Sequence, residues 1–566
     1  MTITHVNNEL NINHIHQTVT LRGWVSKSRR MGGMIFIDLR DRFGITQLTV
    51  DQQSSVYELA LTLRQEYVIL VSGIVVERQS KNPALSTGDI EVQIIDLTII
   101  NSSETPPIQV LDDTDALENT RLTYRYLDLR RPVQQQFLMM RSKITQAIRN
   151  VLVLDGFYEL ETPILGKSTP EGARDFLVPS RLYESQFYAL PQSPQIFKQL
   201  YMIAGFEKYF QIARCFRDED LRADRQLEFT QVDIEASFVN QDDIINLIEK
   251  MMVSLFKDVL NLEIKTPFLK MPYEDAILIY GSDKPDMRFD VRIQTLDTSL
   301  KDDASPLLSL DHQAYILVDH LLTRKEIDQL SDLHKKHGGN ILSYAKKEAS
   351  NVTGPLTKHF SEAKLNALFQ SDTQTLLLST GEFHQVYEPL GAVRIALGKM
   401  LNLIDSNAYK FLWVVDFPLF EYSEEDERLY ARHHPFTSPK NADTMIKDPL
   451  NAKANAYDIV LNGYEIGGGS IRIYKQEMQQ KMFEMLGLKK EDIQSRFGFF
   501  TEALKYGTPP HGGIALGLDR LVMIMTNTEN IKDVIAFPKT QSARDMMMDA
   551  PSDVDAQQLK DIHFKE

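Results

Sequence analysis

Two apolar runs, 209–216 and 234–239, enclose a segment that carries Arg217, Arg222 and Arg225 among Asp218, Glu219, Asp220, Asp224 and Glu228. Runs of this kind read as core strands, so the charges fall on a hairpin at the end of a sheet. A chain that folds this way must either solvate the hairpin or hold a ligand against it. Arginine forks match the oxygens of phosphate and carboxylate, and neighbouring acids orient them or the cation that accompanies a polyanion. A mixed-charge tip exposed to solvent has the same composition, so the choice depends on what else the chain supplies.

A second arginine signal lies far downstream. Residues 512–517 read as a glycine-rich apolar strand running into a helix that begins near Leu518, with Arg520 in its first turn. Glycine lets backbone approach a flat ligand, and a helix start favours negative charge. The segment lacks the Gly-Lys-Ser/Thr of a P-loop and the glycine spacing of a dinucleotide fingerprint. Upstream, a helical pattern over 135–154 stops at Gly156, and a strand over 157–162 ends at Pro163.

In chain order, the segments 135–163, 216–231 and 512–523 resemble motifs 1, 2 and 3 of the class II aminoacyl-tRNA synthetases. Nearly end to end, the chain is similar to the bacterial-type aspartyl-tRNA synthetases. The similarity takes in the hinge sequence Arg-Tyr-Leu-Asp-Leu-Arg-Arg-Pro at 125–132, an N-terminal barrel and a long insertion. It implies an α+β fold: an oligonucleotide-binding β-barrel, a class II antiparallel-sheet catalytic domain and an inserted α+β domain.

Composition bounds the rest. A chain of 566 residues exceeds one core and predicts about three domains. Its single cysteine, Cys215, excludes an internal disulfide and a cysteine zinc site, and its apolar strand points to core packing. No apolar run approaches membrane-spanning length and the N-terminus lacks signal-peptide character, so the cytoplasm is expected. The net charge of −16 argues against a generic nucleic-acid binder. A local basic patch of Arg22, Lys27, Arg29, Arg30, Arg40 and Arg42 can still meet a nucleic-acid backbone.

Five strand patterns and one helix within residues 1–105 predict the barrel. There Arg29 and Arg30 offer charge, Phe36 is either a stacking platform or core, and Gln47 can read a base edge. Residues 106–134 read as a hinge, 135–287 as the first part of the catalytic domain, 288–408 as the insertion and 409–549 as the second part. The acids Asp545, Asp549, Asp553 and Asp555 read as a solvated end, with 550–566 a tail.

Further motifs carry chemistry. The loop 168–174 offers Glu171 to an ammonium group, and 192–199 opens a helix with Ser193 and Gln195 at its start and Lys198 one turn further in. Glu465 and Arg472 flank what reads as a flexible glycine run, and Asp458 stands seven residues before Glu465, so the two acids can share a magnesium ion. Each loop taken alone reads more readily as a solvated turn.

The family resemblance implies a role for each. Arg217 holds the α-phosphate and the reacting carboxylate. Asp218, Glu219, Gln226, Glu465, Gly517, Leu518, Asp519 and Arg520 meet ATP, with Arg520 on the distal phosphates. Arg217, Glu465 and Arg520 form the catalytic set. Lys198 and Arg472 pair with the aspartate side chain, while Glu171, Ser193, Gln195 and Asp233 gather near its amino group, with His433 and His434 beside the substrate. Arg29, Phe36, Gln47, Arg78, Asn82 and Glu91 meet the anticodon.

Two fixed cations favour aspartate over neutral asparagine, which would leave them unpaired. The implied reaction attaches L-aspartate to tRNA(Asp) through aspartyl-adenylate, with ATP and Mg2+, in a homodimer. Whether tRNA(Asn) is charged too turns on contacts around Met31 and Asn82. Rival readings are an asparaginyl-tRNA synthetase, against which Lys198 argues, and a non-charging paralogue that binds nucleic acid or adenylate.

Overall fold

A computed structural model describes residues 2–169, 174–219, 225–297, 299, 305 and 307–564. Contacts divide the chain into two units, Met1–Met139 with Lys532–Asp553, and Met140–Ile531 with Val554–Glu566.

In the first unit, β1 (Thr18–Met31), β2 (Met34–Arg40), β3 (Ile45–Asp51), β4 (Val68–Glu77) and β5 (Ile90–Asn101) close a barrel in the order β1-β2-β3-β5-β4. Val19, Leu21, Ile35, Ile37, Leu48, Val50, Val71 and Val92 alternate into its core. Arg40, counted above in the basic patch, is instead buried, and it donates to both Glu66 oxygens at 2.8 and 3.0 Å. A second correction concerns the C-terminal acids. Asp545 is buried and accepts from the Met547 and Met548 amides at 3.0 Å, so it holds a turn and is not part of a solvated end. The unit boundaries also differ from the division at 549. The Arg125 guanidinium donates to the Ala536 and Ile535 carbonyls at 2.9 and 3.0 Å, which ties 532–553 to the hinge sequence.

In the second unit, β6 (Tyr158–Glu159), the small hairpin β7 (Leu177–Pro179) and β8 (Phe187–Ala189), β9 (Lys208–Phe216), β10 (Glu228–Ser237) and β11 (Leu269–Pro272) come first. The strands β12 (Ile293–Thr295), β13 (His312–Val318), β14 (Ile341–Glu348), β15 (Asn351–Thr353) and β16 (Thr373–Gly381) form a separate five-stranded sheet within 288–408. β17 (Phe411–Val415), the hairpin β18 (Phe420–Ser423) and β19 (Arg428–Ala431), β20 (Ala456–Leu461), β21 (Tyr464–Ile471) and β22 (His511–Gly517) follow.

The main sheet has the order β11-β17-β20-β21-β22-β10-β9-β6 and is antiparallel except where its two edge strands join. Its interior strand β20 is buried at every position, which only a sheet covered on both faces allows. The inserted sheet is also covered on both sides. Ile316 and Leu377 face Val386 and Leu390 of the helix Phe383–Met400, and Leu376 and Leu378 face Leu356 and Leu365. A cavity of about 700 Å3 opens in the insertion beside Phe289, Asp290, Asp319 and His320, and none of the predicted site residues lines it. The predicted strand over 157–162 is shorter than expected, with only Tyr158–Glu159 paired.

Candidate active site

The strand β10 sits between β9 and β22, and alternation sends Asp233 and Glu235 to the same face. Lys198 reaches them from the helix Gln195–Ile203, whose Cβ spacing puts Lys198 one turn from Gln195. The Lys198 ammonium lies 2.9 Å from Asp233 Oδ1 and 3.6 Å from Glu235 Oε2. Arg472, just past β21, forks onto Glu235 through Nε at 2.9 Å and Nη2 at 3.1 Å. Its Nη1 lies 2.6 Å from both Ser470 Oγ and His434 Nε2. Lys198, Asp233 and Glu235 are each 0% exposed. Two cations and two anions therefore form one buried, charge-matched cluster.

The two carboxylates respond differently to this setting. Burial pushes the Asp233 carboxyl up, Lys198 only partly opposes that, and the shift remains upward. Its Oδ2 is buried with no hydrogen-bond partner among the described residues. For Glu235, burial also raises the carboxyl, but the nearby Arg472 and Lys198 charges outweigh it and bring it below the usual range. Asp233 thus holds a spare acceptor, while Glu235 is fully engaged.

The two histidines are biased toward the neutral form. Burial, then the Arg432 and Arg472 charges, lowers His433 to about 4, and burial with Arg472 takes His434 well below its ordinary value. A guanidinium only donates, so His434 Nε2 accepts from Arg472. His433 Nε2 and Gln195 Nε2 are buried without partners among the described residues.

Arg217 stands at the end of β9. Its amide donates to the Leu227 carbonyl at 2.8 Å, its guanidinium lies 5.3 Å from the Phe229 ring centroid, and its Nε is buried without a partner among the described residues. Glu219 accepts from Arg225 at 2.8 Å, and Asp218 pairs with Arg174 at 3.6 Å. Gln226 is buried, and Ser193 lies at the edge of a small cavity with Asp175 and Gln192. Arg520 donates to the Glu465 carbonyl. Glu171 falls outside the described residues.

Three expectations need correction. The glycines at 467–469 lie inside β21 and are paired on both sides, so they form no flexible run. They are required for close approach, since a Cβ on Gly469 would sit 2.2 Å from the Gly513 carbonyl. Asp519 is only 2% exposed, and its oxygens take Arg141 and the Thr230 amide, the latter at 2.7 Å, so its side chain pins the helix to the sheet. The Leu518 side chain is core as well. The side chains at 518 and 519 are thus both committed to the protein interior.

Asp458 and Glu465 lie on the paired strands β20 and β21, Asp458 opposite Gly468 and Glu465 opposite Val460, and an atom at the Cβ position of Gly468 would lie 2.7 Å from Asp458 Oδ1 and 3.6 Å from Glu465 Oε1. Asp458 Oδ1 is buried with no partner among the described residues. Burial first, then the Glu465 and Asp283 charges, holds the Asp458 carboxyl well above the usual range. Two crowded hard oxygens fit a divalent cation such as magnesium, which commonly takes one or two carboxylates and completes its shell with phosphates and water.

On the barrel, Phe36 turns away from Ile35 and Ile37 and is half-buried on the outer face, which removes the core alternative. It pairs across the sheet with Arg29 and Thr49. Gln47 is 4% exposed, and its amide nitrogen donates to Glu91 at 2.6 Å, so a base edge must compete with that bond. Arg78 Nη1 is buried without a partner among the described residues, and Asn82 Oδ1 accepts from the Ala84 amide.

The family model of class II tRNA synthetases (D, K and N) matches residues 117–541, three quarters of the chain. The chain belongs to the class II aminoacyl-tRNA synthetases. An OB-fold nucleic acid binding domain matches residues 19–100 of this synthetase. It is 50% identical to an aspartate–tRNA(Asp/Asn) ligase of Anoxybacillus flavithermus, over 99% of this chain and 98% of that one. A ligase of the same name from Bacillus cytotoxicus is 49% identical with the same coverage. Among solved structures, an asparaginyl-tRNA synthetase of Pyrococcus horikoshii complexed with asparaginyl-adenylate aligns with a TM-score of 0.62 at 20% identity, over 95% of this chain and 99% of that one. An aspartyl-tRNA synthetase from Entamoeba histolytica gives 0.60 at 20% identity, over 95% and 91%. At such identities these structures speak to the fold.

The sequence reading missed four residues that touch the cluster or its partners: Glu235, Ser470, Gln199 and His511, the last two joined at 3.2 Å. Glu235 had a usable signal, since it lies two residues beyond Asp233 on one strand and so must share its face.

Proposed function

We propose that the synthetase attaches L-aspartate to tRNA(Asp) and, as its relatives' names have it, also to tRNA(Asn), in two ATP-dependent steps. The observation that carries the amino-acid assignment is the Lys198–Asp233–Glu235–Arg472 cluster. An aspartate carboxylate can accept from both the Lys198 ammonium and Arg472, whereas an asparagine amide would set its NH2 donor against one of them. The unpartnered Asp233 Oδ2 is an acceptor for the substrate ammonium group.

In the first step the aspartate α-carboxylate attacks the α-phosphate of ATP, pyrophosphate leaves, and aspartyl-adenylate remains. Arg217 sits between carboxylate and α-phosphate and neutralises charge as it develops, and Arg520 draws the distal phosphates away. Asp458 and Glu465 would hold a magnesium ion, which when bound would supply charge neutralisation on those phosphates. In the second step the terminal adenosine hydroxyl of tRNA attacks the activated carbonyl and AMP leaves. The active form is a homodimer. In support, the end of the helix Pro132–Leu154 exposes Val153 and Leu154, with Tyr158 on the following strand also open, an apolar face at the motif 1 position.

Aspartate-dependent ATP–pyrophosphate exchange, followed by charging of purified tRNA(Asp) and tRNA(Asn), tests the reading. Exchange driven by asparagine and not by aspartate would overturn it.

For the barrel, Phe36→Ala is expected to weaken tRNA charging by about 1–3 kcal/mol, the worth of one base–aromatic stack. Pyrophosphate exchange should stay unchanged. Loss of both activities together would make the ring a structural element of the barrel.

A further inference from the structure

We infer that Glu235 is the positioning residue that sets the aspartate clamp, by fixing the plane of the Arg472 guanidinium and the reach of Lys198; this rests on the aspartate reading above. Glu235 occupies one full edge of Arg472, with Oε1 on Nε at 2.9 Å and Oε2 on Nη2 at 3.1 Å. A bidentate fork of this kind fixes both distance and plane. The same Oε2 lies 3.6 Å from the Lys198 ammonium, so one carboxylate holds both cations.

The donors of Arg472 can be followed one by one. A guanidinium has five N–H groups. Glu235 takes one on Nε and one on Nη2, and the two on Nη1 face Ser470 Oγ and His434 Nε2, both at 2.6 Å. One hydrogen on Nη2 is left over, and its direction is set by the fork. A substrate carboxylate therefore meets a single aimed donor from Arg472 beside the Lys198 ammonium. Asp233 plays a different part, because its second oxygen stays open for the substrate.

A glycine in the neighbouring strand makes this placement possible. Glu235 pairs with Gly513 across the β10–β22 ladder, and a Cβ on Gly513 would lie 2.1 Å from Glu235 Oε2. The glycine of the 512–517 strand clears room for a carboxylate of this chain, where the sequence alone had pointed to close approach of a ligand.

The test is pyrophosphate exchange in Glu235→Gln and Glu235→Asp proteins, with KM measured separately for aspartate and ATP. Gln keeps the volume but turns one acceptor into a donor facing other donors. Asp keeps the charge but is one methylene short of spanning Nε and Nη2. In both, KM for aspartate should rise on the order of 10-fold or more, with the larger change in Gln. The preference for aspartate over asparagine should fall by a similar factor, while KM for ATP and the melting temperature of the Asp variant stay near wild type. Equal rises in both constants, unchanged aspartate kinetics, or failure of both variants to fold would make Glu235 a core ion-pair partner only and overturn the inference. Absence of aspartate-dependent exchange in the wild-type protein would overturn the functional reading itself, a separate and distinguishable failure.

Discussion

In an Arg217→Ala protein, aspartate-dependent pyrophosphate exchange is expected to fall on the order of 10²-fold or more, with tRNA binding and the melting temperature little changed. The contrast in magnitudes supports this split. Within the protein, the Arg217 side chain has the Phe229 ring at 5.3 Å and a buried Nε without a partner among the described residues. A partly exposed cation–π contact is worth about 0.5–1 kcal/mol, and an unpaired buried N–H, at a cost of about 1–3 kcal/mol, offsets it. A donor aimed at charge that develops in a transition state is worth about 2.7–4 kcal/mol. Catalysis therefore has more to lose than stability. Exchange measured beside a melting curve and a tRNA-binding titration separates the two, and near-normal exchange would remove Arg217 from the reaction.

The residues that were legible in the sequence are those whose type and local pattern dictate their place. Lys198 follows from helical spacing and the helix start at Leu518 from the glycine-rich strand before it, while Asp233 came through the family resemblance. The glycines at 467–469 misled because composition alone does not separate a mobile loop from a strand packed too closely for side chains. The deciding contact, Gly469 against the Gly513 carbonyl, joins residues far apart in the chain. Asp519 misled for a related reason. An acid in the first turn of a helix beside a phosphate-directed arginine looks like part of the ligand site, but its partners, Arg141 and the Thr230 amide, come from other elements. Glu235 was overlooked because the family pattern drew attention to Asp233, although period-two alternation applies to both. On the barrel, the same alternation left Phe36 open until Ile35 and Ile37 were seen to fill the interior.

Replacing Lys198 by leucine should do two things at once, and their ratio tests the clamp. The substitution leaves Asp233 and Glu235, both fully buried, with Arg472 as the only cation bonded to the cluster among the described residues. Removing one partner of a buried pair costs about 3–5 kcal/mol, because the remaining charge is left uncompensated. Some of that cost is avoided if Asp233, whose carboxyl burial already pushes up, takes a proton. A protonated Asp233 is a poor partner for the substrate ammonium, so the relief in stability comes at the expense of binding. The pocket meanwhile loses one of the two charges that distinguish aspartate from asparagine. KM for aspartate is therefore expected to rise by about 10²-fold, the scale on which truncating a buried charge pair weakens binding. KM for ATP should move little, since Arg217, Arg520 and the Asp458–Glu465 pair are untouched. Discrimination against asparagine should fall together with the affinity for aspartate. Exchange kinetics with each amino acid, read beside the melting temperature, give the answer. If both Michaelis constants rose in step, Lys198 would be a structural member of the core and the aspartate assignment would lose its main support.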